Sequence, residues 1–253
     1  MWFRSRIKRF KSKWGYLHNY FKTLGLANEI ERVTDLAHCD KPVLILYGFG
    51  ATRRSLSILE TRLRQDGFGV FSLRLGGFLD LFNTAPIDQL ARHVSKKIEN
   101  LCERYKLPSM SIIGYSKGGL IGRYYVSFLG GNKRAHTLIT LATPHGGNPW
   151  ALAGCLLMGG FLSKGLRQML PKSRFMRRLS REPLPKNMYA ASIFSETDRI
   201  SPGKYCSLTP SSGDAVHNIS LPHLYHSDFV IKQSAYREIY KHLMAGLRNS
   251  GHA

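Results

Sequence analysis

The sequence predicts an α/β domain, a mainly parallel sheet flanked by helices, with a lid insertion late in the chain and a basic amphipathic helix at its start. Three observations predict it. Apolar runs of strand length alternate with longer stretches of helical periodicity, the pattern of βα units that build a parallel sheet. The 253 residues, 43% hydrophobic and 21% charged, suffice for one globular domain with a small appendage and carry too much apolar content for a disordered chain. The interval 146–187 fits neither strand nor helix, and excursions that long in a compact domain usually serve as lids or binding loops.

Residues 1–33 come first. Phe3, Ile7, Phe10, Trp14, Leu17, Phe21 and Leu24 recur at spacings of four and three, so they form one stripe along a helix. Seven bases (Arg4, Arg6, Lys8, Arg9, Lys11, Lys13 and Lys22) and no acid occupy residues 1–22. A basic amphipathic helix with aromatic anchors suits an anionic membrane interface, where each base adds ~1 kcal/mol of attraction. The same stripe would equally brace the protein's own body or pair with another chain. The body follows over residues 41–250. Strands are expected at 43–47, 69–73, 111–115, 135–141, 188–194 and 215–221, and helices at 55–66, 87–105, 118–128 and 228–247. Gly67 follows the first of these helices as a stop signal should. The insertion, bounded at 148–187, joins an apolar run from Trp150 to a basic stretch between Lys164 and Lys186.

Charge and cysteine usage narrow the functional classes. Lys and Arg number 37 against 16 Asp and Glu, a net +21, so a partner of negative sign is expected. Residues 163–186 carry eight bases and one acid, and with the first 22 residues they hold +14 of that excess. Most of the excess charge therefore lies outside the core fold, in the first segment and the insertion, and without a nucleic-acid motif a nucleic-acid partner is disfavoured against anionic lipid. Cys39, Cys102, Cys155 and Cys206 are far apart and form no CxxC pair, so neither a zinc site nor a disulfide framework is expected, and no metal or cofactor. The start of the chain lacks the apolar stretch of a secretory signal. The longest mostly apolar run, 149–162, falls short of the ~20 residues of a spanning helix. The expectation is a cytoplasmic protein, peripheral on a membrane, with its oligomeric state open.

Gly114-Tyr115-Ser116-Lys117-Gly118-Gly119 lies between the apolar run Ser111-Ile112-Ile113 and the helical run Leu120-Ile121-Gly122. That is strand, sharp turn and helix, the context of the G-x-S-x-G nucleophile elbow, in which a strained turn projects the serine hydroxyl above the sheet edge. The helix starting there aims its free N–H groups and positive dipole end at the serine. Upstream, Val43-Leu44-Ile45-Leu46-Tyr47-Gly48-Phe49-Gly50 is an apolar strand running into a glycine turn. Such a turn lets backbone amides approach a ligand, so the Phe49 and Lys117 N–H groups are the candidate oxyanion hole, each donor typically worth ~3 kcal/mol.

With these motifs and Thr143-Pro144-His145-Gly146-Gly147 after a later strand, the sequence resembles the α/β-hydrolases of the lipase and esterase group, triacylglycerol-lipase-like serine hydrolases, from about Pro42 to the C-terminus. The resemblance implies the chain order Ser, acid, His. It matches the acid to Asp198, with Glu196 the rival, and the base to His226, with His223 the rival. The separations are 82 residues from Ser116 to Asp198 and 28 from Asp198 to His226. His145 is then a structural residue of its loop. The insertion becomes a lid over an acyl-binding groove, with Trp150, Leu156 and Phe161 as the substrate-binding candidates.

Two departures from the family pattern are visible. Tyr47 stands where a structural histidine is usual. Lys117 occupies the fourth elbow position, where its cation either sits near the site mouth, favouring an anionic substrate, or faces solvent. The implied function is hydrolysis of carboxylic esters, of lipids or other hydrophobic acyl groups, through a Ser-His-Asp triad and an acyl-enzyme. A thioesterase or an acyltransferase would use the same triad. The reading from another class is an anionic-surface or nucleic-acid binding protein on an inactive hydrolase fold.

Overall fold

The computed structural model describes residues 41–75, 83–157, 164–209 and 215–251. The predicted helix over 1–33 lies outside them. The chain alternates β1 (Pro42–Leu46), α1 (Ser57–Gln65), β2 (Gly69–Ser72), α2 (Ile87–Tyr105), β3 (Met110–Tyr115), α3 (Lys117–Phe128) and β4 (Ala135–Leu141). Its second half carries β5 (Tyr189–Phe194) and β6 (Ala215–Ser220). All six expected strands form, and they make one sheet in the order β2-β1-β3-β4-β5-β6 with every neighbouring pair parallel. β1, β3 and β5 are buried at every position. This is why they read as unbroken apolar runs: a parallel strand is covered on both faces and gains nothing from alternation.

Two glycines fix which helix covers which face. Thr137 and Leu138 are consecutive in β4, so their side chains point to opposite sides of the sheet. A Cβ on Gly122 of α3 would lie 3.0 Å from the Leu138 side chain, whereas one on Gly246 would run into the Thr137 side chain. Gly246 belongs to α8 (Gln233–Asn249), so α3 and α8 cover opposite faces. α1 joins the α8 side, where Arg62 donates to the Ile231 carbonyl at 2.7 Å and the Tyr236 hydroxyl donates to Asp66.

Among the described residues between β4 and β5 the chain forms three short helices, α4 (Trp150–Leu157), α5 (Lys164–Gln168) and α6 (Arg174–Arg181). None is long enough to impose a periodicity that a sequence window of 11 to 18 residues would register. Ser173 caps α6, its hydroxyl accepting the Met176 N–H at 3.1 Å. The expected helix over 228–247 is two helices, α7 (Asp228–Ile231) and α8, separated at Lys232, whose ψ of 142° is extended. No Gly or Pro marks that break. Among the described residues, no helix is long and apolar enough to cross a membrane.

The strand order creates a site. From β1 the chain moves outward to β2, then returns past β1 to place β3 on its other side and continues to β6. The loops leaving β1 and β3 therefore diverge, and the crevice between their carboxyl ends is where ligands bind in open α/β sheets. Leu46 is in register with Gly114, so the turns after β1 and β3 start level with each other.

Gly246 tests this packing. Replacing it with Ala should destabilise the fold by ~1–3 kcal/mol through overpacking against Thr137. In a Thr137→Ala background the same change should be neutral or stabilising, because relief of the clash leaves the helix-propensity gain of Ala over Gly. Denaturant midpoints of the four proteins report the change of sign.

Candidate active site

Ser116 occupies the turn between β3 and α3 with φ 54° and ψ −122°, a region that L-residues rarely adopt. Three bonds hold it there: its N–H donates to the Leu141 carbonyl (2.8 Å), and its carbonyl accepts from the Gly119 N–H (3.0 Å) and from the Thr143 hydroxyl (3.0 Å). The neighbouring loop comes very close. A Cβ on Gly48 would lie 3.0 Å from Ser116 Cβ and 3.5 Å from its Oγ, so the backbone after β1 borders the serine hydroxyl.

The turn after β5 supplies Asp198, only 1% exposed. Its Oδ1 accepts the Ile200 and Ser201 amides at 2.9 and 3.1 Å, and its Oδ2 lies 2.7 Å from His226 Nδ1. Two backbone donors leave the second oxygen free to orient the imidazole. Asp198 is thus the acid beside His226; Glu196, its rival, is solvent-exposed, and so is His223, the rival base. The loops carrying Asp198 and His226 are tied together by Ser195 Oγ, which accepts the Leu224 N–H (3.3 Å), and by Thr197 Oγ1, which donates to the Leu224 carbonyl (3.0 Å). Tyr115, adjacent to Ser116, donates its hydroxyl to the His226 carbonyl at 3.2 Å, and its ring lies 5.0 Å from the imidazole.

Phe49 follows Gly48, and Lys117 is the first residue of α3, where helix geometry leaves the leading N–H groups without intrahelical acceptors. The Lys117 side chain departs from both sequence expectations, the site mouth and solvent. It is fully buried, its Nζ donating to the Asn83 and Ala85 carbonyls at 2.8 and 2.6 Å and lying 5.5 Å from the centre of the Phe49 ring. Its long aliphatic stem allows this, and removal of the ammonium from water lowers its pKa to about 7. Asn83, also buried, donates its side-chain amide to the Tyr47 carbonyl at 2.7 Å, and the Tyr47 hydroxyl accepts the Leu75 N–H at 2.7 Å. Tyr47 thus braces the loop at the position where the family pattern has a histidine.

His145 is buried with its Nε2 3.0 Å from the Thr140 hydroxyl. Burial, reinforced by the Arg123 cation, holds its pKa well below the usual imidazole range, so the ring is neutral. Trp150 opens α4 with 59% of its surface exposed, Leu156 lies in the same helix, and Phe161 lies outside the described residues. Among the described residues, no three His, Cys, Asp or Glu side chains converge to hold a metal ion. Sequence reasoning passed over Asn83 and Ser195, which brace the site through single polar atoms and carry no motif, and read Thr143 as part of the 143–147 motif without a bracing role of its own.

The family model for palmitoyl protein thioesterases matches residues 42–196, a span that includes Ser116 and ends before Asp198 and His226. No curated protein matches the chain in sequence. Among solved structures the fold is similar to lipase B of Aspergillus fumigatus (TM-score 0.68, 15% identity), covering 84% of this chain and 56% of that one. It is similar also to the mature lipase BlEst2 of Bacillus licheniformis (TM-score 0.66, 12% identity, 85% and 96% covered). A third is the monoacylglycerol lipase of Paleococcus ferrophilus (TM-score 0.57, 16% identity, 81% and 94% covered). The chain therefore spans little more than half the length of the Aspergillus lipase.

The buried ammonium generates a pH-dependent prediction. A lysine whose pKa is lowered by folding is charged in the unfolded chain and increasingly neutral in the folded one above pH 7, so stability rises from about pH 7 towards 10. Melting temperatures of wild type and Lys117→Met should therefore differ in a pH-dependent way, the wild type gaining on the variant as pH rises from 6 to 9.

Proposed function

The chain belongs to the palmitoyl protein thioesterase family of α/β-hydrolases, and from that premise we propose that it is a serine hydrolase that cleaves carboxylic esters of lipids or other hydrophobic acyl groups. The observation that carries this reading is the 2.7 Å contact of His226 Nδ1 with an Asp198 carboxylate whose other oxygen is held by two amides. The two lie beside the turn that carries the strained Ser116. His226 Nε2 takes the proton from Ser116 Oγ as the oxygen attacks the acyl carbon, and Asp198 stabilises the imidazolium. The Phe49 and Lys117 amides receive the developing oxyanion. Collapse of the tetrahedral intermediate expels the leaving group, which takes its proton from His226, and leaves the acyl group on Ser116. Water, deprotonated by the same imidazole, then releases the carboxylic acid.

The leaving group is either an alcohol or a thiol. The family match favours a thioester as the second substrate class, since neither the triad nor the oxyanion donors distinguish oxygen from sulfur. Trp150, Leu156 and Phe161 of the insertion are the proposed acyl contacts. The segment 1–33 is the proposed attachment to an anionic membrane surface.

Labelling by a fluorophosphonate probe should occur in the wild type and vanish in Ser116→Ala and His226→Ala. Asp198→Asn should lower kcat on nitrophenyl esters by as much as ~10⁴-fold, because the imidazole loses its tautomer and its counter-charge. A wild type that stays unlabelled with detergent or liposomes present would refute the hydrolase reading.

A further inference from the structure

Apart from the catalytic crevice, a cavity of about 470 Å³ opens between the outer end of α3 and the helices of the insertion. Ser116, Asp198 and His226 do not line it. Lys164 and Arg167 of α5 and Arg174 and Arg178 of α6 do, and all four are exposed. They stand three and four residues apart on their helices, so like charges share a helix face and repel, an arrangement that weakens each helix unless something negative lies between them.

Nothing among the described residues fills that role. The acid lining the cavity, Asp88, is already committed: its Oδ2 pairs with Arg92 at 2.7 Å and its Oδ1 accepts the Gln168 side-chain amide at 2.7 Å. Among the described residues, none of the four cations makes an ion pair. One wall is aromatic. The Tyr124 and Phe175 rings stack at 5.6 Å, and the Arg178 guanidinium lies 4.7 Å over the Phe128 ring. That contact holds a planar fork of donors in place, the geometry that grips a phosphate through two parallel hydrogen bonds. The aromatic wall supplies an apolar side for the organic part of the same molecule.

We propose that this cavity binds the phosphate group of a phosphomonoester, carried either by a lipid headgroup or by a soluble ester. The proposal needs neither Ser116 nor turnover. It is therefore tested in the full-length Ser116→Ala protein, by titration with glycerol 3-phosphate and with dihexanoyl phosphatidic acid followed by calorimetry.

Saturable binding is expected for at least one probe, weakened tenfold or more by Arg174→Gln/Arg178→Gln and unchanged by Arg4→Gln/Arg6→Gln in the first segment. Binding of both probes identifies a soluble phosphate ester, and binding of the phosphatidic acid alone identifies a headgroup. If the double variant fails to fold, Lys164→Gln carries the test with the same sign. Binding that never saturates, that survives the arginine changes, or that is lost instead on changing Arg4 and Arg6 would overturn the proposal. Placed on a Ser116-containing background, the α6 changes should leave hydrolysis of nitrophenyl acetate unaltered, which separates failure of this site from failure of the hydrolase reading.

Discussion

Helix α3 begins with its first residues pressed against the end of β1, and the Leu46 carbonyl leaves no room there for a side chain on Gly118. Gly114, at the end of β3, meets Gly119 in the same way. Only a backbone without Cβ atoms at these points can turn so sharply from strand to helix, and the turn drives Ser116 to a positive φ. Holding a serine there costs roughly 1–3 kcal/mol, which the surrounding structure must absorb. The fully buried β3 and the bonds from Thr143 and Leu141 supply the rigidity. Everything at the site follows from this approach: Gly48 beside the hydroxyl, the start of α3 behind it, and the crevice between the diverging loops in front.

Around that turn, the charged groups Asp198 and Lys117 are met by local backbone partners. Asp198 takes two amides on one oxygen and presents the other to His226. Lys117 gives its ammonium to two carbonyls of the loop that contains Asn83, and Asn83 reaches back to the strand end at Tyr47. The side chain of the residue after Ser116 thus anchors the loop that contains Asn83 instead of reaching into the crevice. In a chain of net charge +21, Lys117 and Arg123 are buried inside the fold, whereas Lys164, Arg167, Arg174 and Arg178 of α5 and α6 are exposed.

Legibility in the sequence followed the range of the interactions. The strands and the elbow were readable because continuous burial and close backbone approach leave local marks, apolar runs and glycines, around Ser116 and after β1. Asp198 and His226 were readable only through the chain order of a family, and the rivals Glu196 and His223 differ from them in exposure, a property with no local signature. The destination of the Lys117 side chain was misread: a lysine marks charge in a sequence, but its stem lets the charge be carried inward to carbonyls more than 30 residues away. Asn83 and the break at Lys232 escaped for the same reason, each being set by a tertiary contact or a backbone angle and by no pattern. The helices α4 to α6 were too short to show a period.

In the proposed mechanism Ser116 carries the acyl group during turnover. Its most direct test is to mix the protein with a long-chain acyl thioester, quench in acid within the first turnovers, and locate the acyl group by peptide mass spectrometry. A transient ester on Ser116, formed and lost at rates matching turnover, is expected. Turnover with the acyl group on another residue, or with Ser116 unmodified at every quench time, would contradict it.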